Sequence, residues 1–270
     1  MSKRAGKGKG QGKDISAAVR EVCLWFPETE EVPSRGSPDF RVAGKTFATY
    51  VINHHGDGNV ALWLRSPPGA QQLHSENDPE NYFVPPYVGP RGWLGVRLNK
   101  NLSWDTVATR VREAYEEVAP NALSQTLGDT ISITPPDVDM RPEDIDPMLA
   151  PRAQAVLGMM RDVCLGLPET TEATQFGNPV WKAGKKTFAG AHHYKGQKLC
   201  VTFWVGAEQQ DLLTLGDTRF HIPAFTGHNG WIALDAEAEL TLEELEDLAL
   251  PSYRHFALKR MLKALDGPDA

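Results

Sequence analysis

The peptide Lys45-Thr46-Phe47-Ala48 recurs as Lys186-Thr187-Phe188-Ala189, and this recurrence decides how the chain is built. A shift of 141 residues extends the identity outward in both directions, to Arg20, Val22, Cys23, Leu24, Pro27, Glu28, Thr29, Glu31, Gly36, Pro38 and Trp63 in the first copy. A shift of 138 residues then superposes Pro85, Gly89, Gly92, Trp93 and Tyr115 on Pro223, Gly227, Gly230, Trp231 and Tyr253. Solenoid repeats recur every ~20–50 residues, so this longer period predicts two duplicated domains.

The two shifts imply a length difference of three residues between the copies. The identity of Trp63 with Trp204 predicts that this difference lies between Trp63 and Pro85. From these limits we expect a disordered basic tail at 1–14, domain one at 15–119 and domain two at 151–266. Residues 120–150, rich in proline and aspartate, are expected to form an extended linker.

Composition narrows the classes of function. The chain has 270 residues, 41% hydrophobic and 23% charged, which is typical of a globular protein. Its net charge is −7, and only the N-terminal tail is strongly basic, which makes general nucleic-acid binding unfavourable unless a local basic patch exists. We find no membrane-spanning run and no signal-peptide core, so we expect a cytoplasmic protein.

Each copy shows the same pattern of helices and strands. An amphipathic helix opens the copy, glycine-bearing turns separate three strands, two more strands follow, and a second amphipathic helix closes it. This order predicts an α+β fold with two tandem two-layer domains, each an antiparallel sheet covered by helices on one face. Pro251 is expected to break the last helix of domain two.

The combination of these motifs resembles the MmcQ/YjbR family. In the first copy the family's segments are Pro27–Thr29, Gly36–Pro38, Lys45–Ala48, Gly92-Trp93 and Tyr115. The resemblance implies a fold similar to the type III secretion chaperones, double-wing hairpins of the DNA-binding type, and no established catalytic residues. A tandem chain in such a family would be a monomer with an internal pseudo-dimer.

The strongest local feature is a lysine-rich hairpin in domain two. Five lysines fall within 17 residues that contain no acid, and aromatic residues lie among and beside them: Lys182, Lys185, Lys186, Lys195 and Lys198, with Trp181, Phe188, Tyr194 and Trp204. Such a surface is typical of a wing along a phosphate backbone. Alternatively, the lysines only protect an edge strand while the aromatics face the core.

Domain one offers a weaker set of cations, Arg35, Arg41 and Lys45, offset by Asp39. The glycine pairs Gly89/Gly92 and Gly227/Gly230 either expose amides to a phosphate, with Arg91 adding charge, or simply permit a turn. The histidine pairs and the three cysteines have no metal-site spacing, so we expect no metal, no cofactor and buried free thiols.

These features favour a non-enzymatic cytosolic binding protein that contacts DNA or RNA through basic hairpin wings. The alternative is a protein-interaction or chaperone-like module that uses a groove between the two domains. An enzyme acting on a small molecule ranks below both, because the sequence shows no nucleophile with a base or oxyanion donor.

Overall fold

The computed structural model describes residues 12–34, 37–128, 131–193 and 198–267. Within them the chain divides into two compact units. Domain one comprises residues up to His54 and Gly58–Ile145, and domain two comprises His55–Asp57 and the residues from Asp146 onward. The prediction of two domains is therefore confirmed. Two of the predicted binding residues, Arg35 and Lys195, lie outside the described residues.

Domain one contains five helices and six strands within the described residues. The helices are α1 (Ile15–Leu24), α2 (Ala70–Asn77), α3 (Trp104–Glu116), α4 (Asn121–Ser124) and α5 (Pro142–Ile145). The strands are β1 (Thr29–Ser34), β2 (Ser37–Val42), β3 (Lys45–Ile52), β4 (Val60–Leu64), β5 (Tyr82–Phe83) and β6 (Leu94–Arg97). They form one antiparallel sheet in the order β1-β2-β3-β4-β6-β5.

Domain two repeats this arrangement. Its helices are α6 (Pro151–Leu165), α7 (Ala207–Gly216), α8 (Leu242–Phe256) and α9 (Lys259–Asp266). Its strands are β7 (Thr170–Gln175), β8 (Asn178–Ala183), β9 (Lys186–His192), β10 (Cys200–Trp204), β11 (Phe220–His221) and β12 (Trp231–Asp235). The sheet order is β11-β12-β10-β9-β8-β7, so the predicted α+β class is confirmed in both domains.

Each core lies between one face of the sheet and the first and last long helices. In domain one Val22 of α1 and Val111 of α3 pack with Phe47 and Leu62 of the sheet, all four fully buried. The apolar residues of α1 and α3 recur at helical spacing, which places them on one face of each helix. Burial of this stripe is the main stabilising term of the domain.

The same tyrosine hydrogen bond secures both domains. Tyr115 Oη donates to the carbonyl of Pro27 at 3.0 Å, and Tyr253 Oη donates to that of Pro168 at 2.8 Å. Each bond joins the last long helix to the turn that follows the first helix. It thereby fixes the spacing of the two helices on the sheet.

The sequence did not predict the first strand of each sheet. β1 contains two glutamates and Pro33, and it is paired on one side alone, with β2. A polar, proline-containing segment fits only an edge strand, which is why no strand pattern was visible there. β7 is the equivalent edge strand of domain two.

The predicted equivalence of Trp63 and Trp204 is wrong by two residues. Ala48 pairs with Leu64, whereas its counterpart Ala189 pairs with Phe203. Trp63 therefore corresponds to Thr202, and Trp204 occupies the position of Arg65. Two of the three extra residues lie in the β3–β4 connection, before Trp63, because the loop rather than the strand absorbs the length difference.

The predicted break at Pro251 is also wrong. Helix α8 continues through Pro251 and ends at Phe256, after which α9 begins. Pro251 is exposed, while Leu248, Ala249 and Tyr253 around it are buried against the sheet. Burial of these side chains outweighs the amide bond that proline cannot make.

The segment 120–150 differs from the extended linker that its composition indicates. Its described residues include the short helices α4 and α5, and Ile131 and Ile133 are buried in the core of domain one. Neither isoleucine lies in a strand. Apolar residues at intervals thus anchor this proline-rich segment to domain one.

Candidate functional site

Three of the predicted lysines lie together at the turn between β8 and β9. Lys182 is in β8, Lys185 is in the two-residue turn, and Lys186 is the first residue of β9. Gly184 opens the turn with φ 61°, a left-handed conformation that glycine adopts without strain. Lys185 and Lys186 are exposed and Lys182 is half-buried. The hairpin therefore presents three ammonium groups at one end of the sheet.

Lys198 lies at the opposite end of β9, beyond a strand of seven residues or ~20 Å. Its ammonium is paired with the nearly buried carboxylate of Asp235. Burial alone would raise the pKa of Asp235, but the bond from Lys198 holds this pKa below its usual range. Lys198 therefore does not join the other three lysines, and its charge is already compensated.

Helix α9 adds a lysine that sequence reasoning missed. A Cβ placed on Gly184 would lie 3.6 Å from Leu258 Cδ1 and 3.9 Å from Met261 Sδ, so the start of α9 packs against the turn. Lys259 follows Leu258 directly and is exposed. The contact of its neighbour Leu258 places the backbone of Lys259 next to the turn, and the sequence signal for it is the basic character of α9. We name Lys182, Lys185, Lys186 and Lys259 the hairpin cluster.

The hairpin cluster is uncompensated. Within the described part of the chain, none of its four ammonium groups lies within 4.0 Å of a carboxylate. Arg161 and Arg260 of the same domain are paired with Glu172 at 2.8 Å and with Glu169 at 2.6 Å. Like charges that remain close together without a counterion repel one another, so this arrangement does not stabilise the domain.

Domain one neutralises the equivalent positions. Arg41, the counterpart of Lys182, is paired with Asp39 at 3.1 Å, and Asp39 also accepts from Thr49 Oγ1 at 2.7 Å. Val180 stands in domain two where domain one has Asp39. Lys45 is exposed and has no ion pair with any residue that the structure describes, and the position of Lys185 is a glycine. Among the described residues, the hairpin of domain one thus carries one uncompensated cation.

Two of the four aromatic residues singled out around the hairpin are not available to a ligand. Trp181 and Phe188 are fully buried in the core of domain two. The ring of Trp204 stacks on that of His255 at 3.4 Å, and Tyr194 lies outside the described residues. The alternative in which the aromatics face the core therefore holds for Trp181 and Phe188, and base stacking has no support from these rings.

The glycine loops are closed turns rather than open amide cradles. In the first loop the amides of Gly89, Arg91 and Gly92 all donate to backbone carbonyls at 2.8–2.9 Å. Gly92 has φ 79°, a left-handed conformation that favours glycine. Gln71 Nε2 donates to the carbonyls of Gly89 at 2.8 Å and Trp93 at 2.6 Å, and so holds the turn from α2.

The loop of domain two is held in the same way. Gln210 Nε2 donates to the carbonyls of Gly227 at 2.7 Å and Trp231 at 2.6 Å. Gly230 has φ 87°. The simple turn is therefore the better interpretation of both glycine pairs. Arg91 remains exposed beside the first turn, where it lines a cleft together with Arg65, a residue that the sequence did not single out.

Other kinds of site find no support among the described residues. No group of three or more histidine, cysteine, aspartate or glutamate side chains there is arranged to hold a metal ion. The three cysteines are buried and unbridged. None of the helices in these ranges combines the length and apolar character that crossing a bilayer requires.

Fold and site together define a class: tandem α+β domains with one uncompensated basic hairpin. A family model described as YjbR matches residues 24–117 and again residues 165–255. The chain therefore belongs to the YjbR family and carries two of its domains in tandem.

Comparisons with solved structures and with curated proteins gave the following. The chain is similar to a crystal structure of a Deinococcus radiodurans protein with a DUF419 domain, at 21% identity and a TM-score of 0.34. The match covers 42% of this chain and 90% of that one. A search of curated proteins found no match.

Proposed function

We propose that this protein is a non-enzymatic, cytosolic nucleic-acid-binding protein that binds the phosphate backbone through the hairpin cluster of domain two. The observation that carries the proposal is the group of four lysines around one turn with no carboxylate partner in the described residues. Arg41, in the equivalent position of domain one, has its own acid. Four uncompensated cations close together are what a polyphosphate chain neutralises.

The expected mode of binding is to the backbone, without reading of bases. Lysine ammonium groups contact phosphate as point charges, and the rings of Trp181 and Phe188 beside them are buried. Four phosphate contacts on duplex DNA correspond to a slope of about −3.6 in log affinity against log salt. Doubling the salt from ~50 to ~100 mM should then lower the affinity about twelvefold.

The test is fluorescence anisotropy with a labelled DNA duplex, repeated at several salt concentrations. The variant Lys185→Gln/Lys186→Gln should bind more weakly and reduce the magnitude of the slope by about 1.8, because two phosphate contacts are lost. The matched control Lys45→Gln/Lys100→Gln removes two exposed lysines of domain one, which make no ion pair within the described ranges, and should leave the slope unchanged. An equal loss in both variants, or no binding by the natural protein at ~50 mM salt, would refute the proposal.

A protein partner is the second candidate, and one observation favours it. Two apolar positions are exposed in both domains, Val84 with its counterpart Ile222 and Tyr87 with its counterpart Phe225. Phe225 is 90% exposed, although exposure of a large aromatic ring to water is unfavourable. Cross-linking in cell extract should then join a protein to the natural chain and not to Phe225→Ser, and equal cross-linking of both would exclude this surface.

A further inference from the structure

A cleft of about 420 Å³ opens in domain one beside the first glycine turn. Six of the residues that line it matter here: Arg65, Ser66, Gly69, Gln72, Arg91 and Glu117. We name this site the arginine cleft. Its volume lies in the range of small-molecule sites, about 300–1,000 Å³.

The framework holds both arginines at the cleft. The amide of Arg65 donates to the carbonyl of Phe47 at 2.9 Å, which ties it to β3, and its guanidinium lies 5.6 Å from the ring centroid of Trp93. Arg91 belongs to the glycine turn that Gln71 holds from α2. Ser66 Oγ donates to the carbonyl of Gly92 at 2.6 Å and joins the two walls. Hydrogen bonds within domain one therefore fix the walls of the cleft.

The two guanidinium groups are not compensated. In the ranges that the structure describes, neither Arg65 nor Arg91 lies within 4.0 Å of a carboxylate. Each guanidinium offers five N–H donors in a fork. Glu117 is the acid that lines the cleft, and it is exposed. The site thus combines two cations with one acceptor of hydrogen bonds.

This combination selects a ligand class. A phosphate monoester carries close to two negative charges and three terminal oxygens, so it can accept from both guanidinium groups. The Glu117 carboxylate repels a bare anion, but it can accept a hydrogen bond from a hydroxyl or amino group elsewhere on the ligand. A sugar phosphate or a mononucleotide presents both features.

Domain two has filled the equivalent space with its own side chains. Trp204 stands where domain one has Arg65, and its Nε1 donates at 3.0 Å to the carbonyl of Asn229, the counterpart of Arg91. The ring stacks on His255, which replaces Glu117. A Cβ on Gly230 would lie 2.9 Å from Trp204 Nε1, whereas a Cβ on Gly92 meets nothing within 4 Å. Among the described residues of domain two, Trp204 thus occupies the space that is open in domain one.

We propose that the arginine cleft binds a small phosphate monoester whose remaining part carries hydroxyl or amino groups. The two guanidinium groups bind the phosphate, and Glu117 accepts from the rest of the ligand. This site is independent of the hairpin cluster and does not rest on nucleic-acid binding.

Isothermal titration of the full chain with adenosine monophosphate tests the proposal, with inorganic phosphate and adenosine as comparisons. The monophosphate should bind more tightly than inorganic phosphate, and adenosine should not bind. Arg91→Gln and Arg65→Gln should each weaken binding of the monophosphate about tenfold or more. Glu117→Gln should reduce its advantage over inorganic phosphate. Because Arg91 is exposed, Arg91→Gln keeps the test valid even if Arg65→Gln disturbs folding.

Two controls separate this site from the hairpin cluster. Lys185→Gln/Lys186→Gln should bind the monophosphate as the natural protein does, while it loses affinity for DNA. Arg65→Trp, which installs the side chain of domain two, should close the cleft and abolish binding. No binding of the monophosphate by the natural protein, or equal binding by Arg91→Gln, would overturn the proposal.

Discussion

Gln210 provides a quantitative test of how the glycine turns are held. Its side chain is buried, and Nε2 donates to the carbonyls of Gly227 and Trp231. In Gln210→Leu the side chain keeps a similar volume but loses both bonds. The Gly227 carbonyl still accepts from the amide of Gly230 at 3.0 Å, whereas the bond to Trp231 has no such replacement among the contacts described. One lost bond and one unsatisfied, partly buried carbonyl together cost about 2–4 kcal/mol.

The same change in domain one should cost less. Gln71 makes equivalent bonds but is only half-buried, so water can replace part of what the side chain provides. We expect Gln71→Leu to cost about 1–2 kcal/mol. The order of the two variants therefore depends on burial alone.

Urea denaturation followed by circular dichroism measures both free energies of unfolding. The matched controls are Gln209→Leu and Gln72→Leu, which change exposed glutamines adjacent in sequence and should stay within about 0.5 kcal/mol of the natural protein. Hydrogen exchange at the Gly230 amide should accelerate in Gln210→Leu, since the turn opens more often. If Gln210→Leu lowers the free energy of unfolding no more than Gln209→Leu does, the glycine turns are stable without the glutamine and the reasoning is refuted.

Three further predictions concern domain two and the thiols. Burial, with repulsion from His221 and His193, lowers the pKa of His192 to about 4. An unfolded histidine titrates near 6.5, so domain two should lose up to about 3 kcal/mol as the pH falls from about 6.5 to 4. His192→Val, which copies Val51 of domain one, should remove this loss in urea titrations at the two pH values. Tyr253→Phe should cost about 1 kcal/mol in the same assay, because the bond to Pro168 disappears; no change would mean that the bond is dispensable. Burial raises the pKa of all three thiols, that of Cys200 to about 11, so a disulfide reagent should modify them only in denaturant, and rapid modification of the native protein would contradict their burial.

The fold could be predicted largely from local pattern. Helical spacing identified α1 and α3, because both bury one apolar stripe, and the repeated strand at Phe47 and Phe188 fixed the duplication. The local sequence pattern did not predict the helices and strands that depend on packing between distant segments. Helix α8 continues past Pro251 because the side chains around this proline are buried against the sheet. The polar segment β1 is a strand because it pairs with β2.

The register error has a different cause. The identity of Trp63 and Trp204 predicts that the two residues are equivalent, but both are exceptions to the repeat. Trp63 packs with Val51, Ala61 and Trp93 on the second face of the sheet, a cluster that sequence periodicity did not reveal. Trp204 instead fills the space that Arg65 leaves open in domain one. A single identical residue does not show that two positions are equivalent when a nearby loop differs in length between the two copies, because the loop shifts the alignment of the residues that follow it.

The sequence predicted only part of the residues that form the candidate sites. Lys182, Lys185 and Lys186 could be predicted as a group because one hairpin carries them. Lys198 belongs to the same stretch of sequence, yet a full strand separates it from that turn. Lys259 and Arg65 come from distant segments, and only the packing of α9 and the end of β4 brings them to their sites.

The two domains share one framework, so the positions where they differ are not required by the fold. Domain two removes the acid beside its hairpin, with Val180 in place of Asp39, and gains Lys185 at the turn. Domain one keeps that acid and instead opens the cleft of Arg65 and Arg91. Each domain therefore carries uncompensated cations where the other has neutral or paired residues. Because uncompensated charges gain nothing for stability, their separation into two places is the common basis of the two proposals made above, one anionic ligand for each domain.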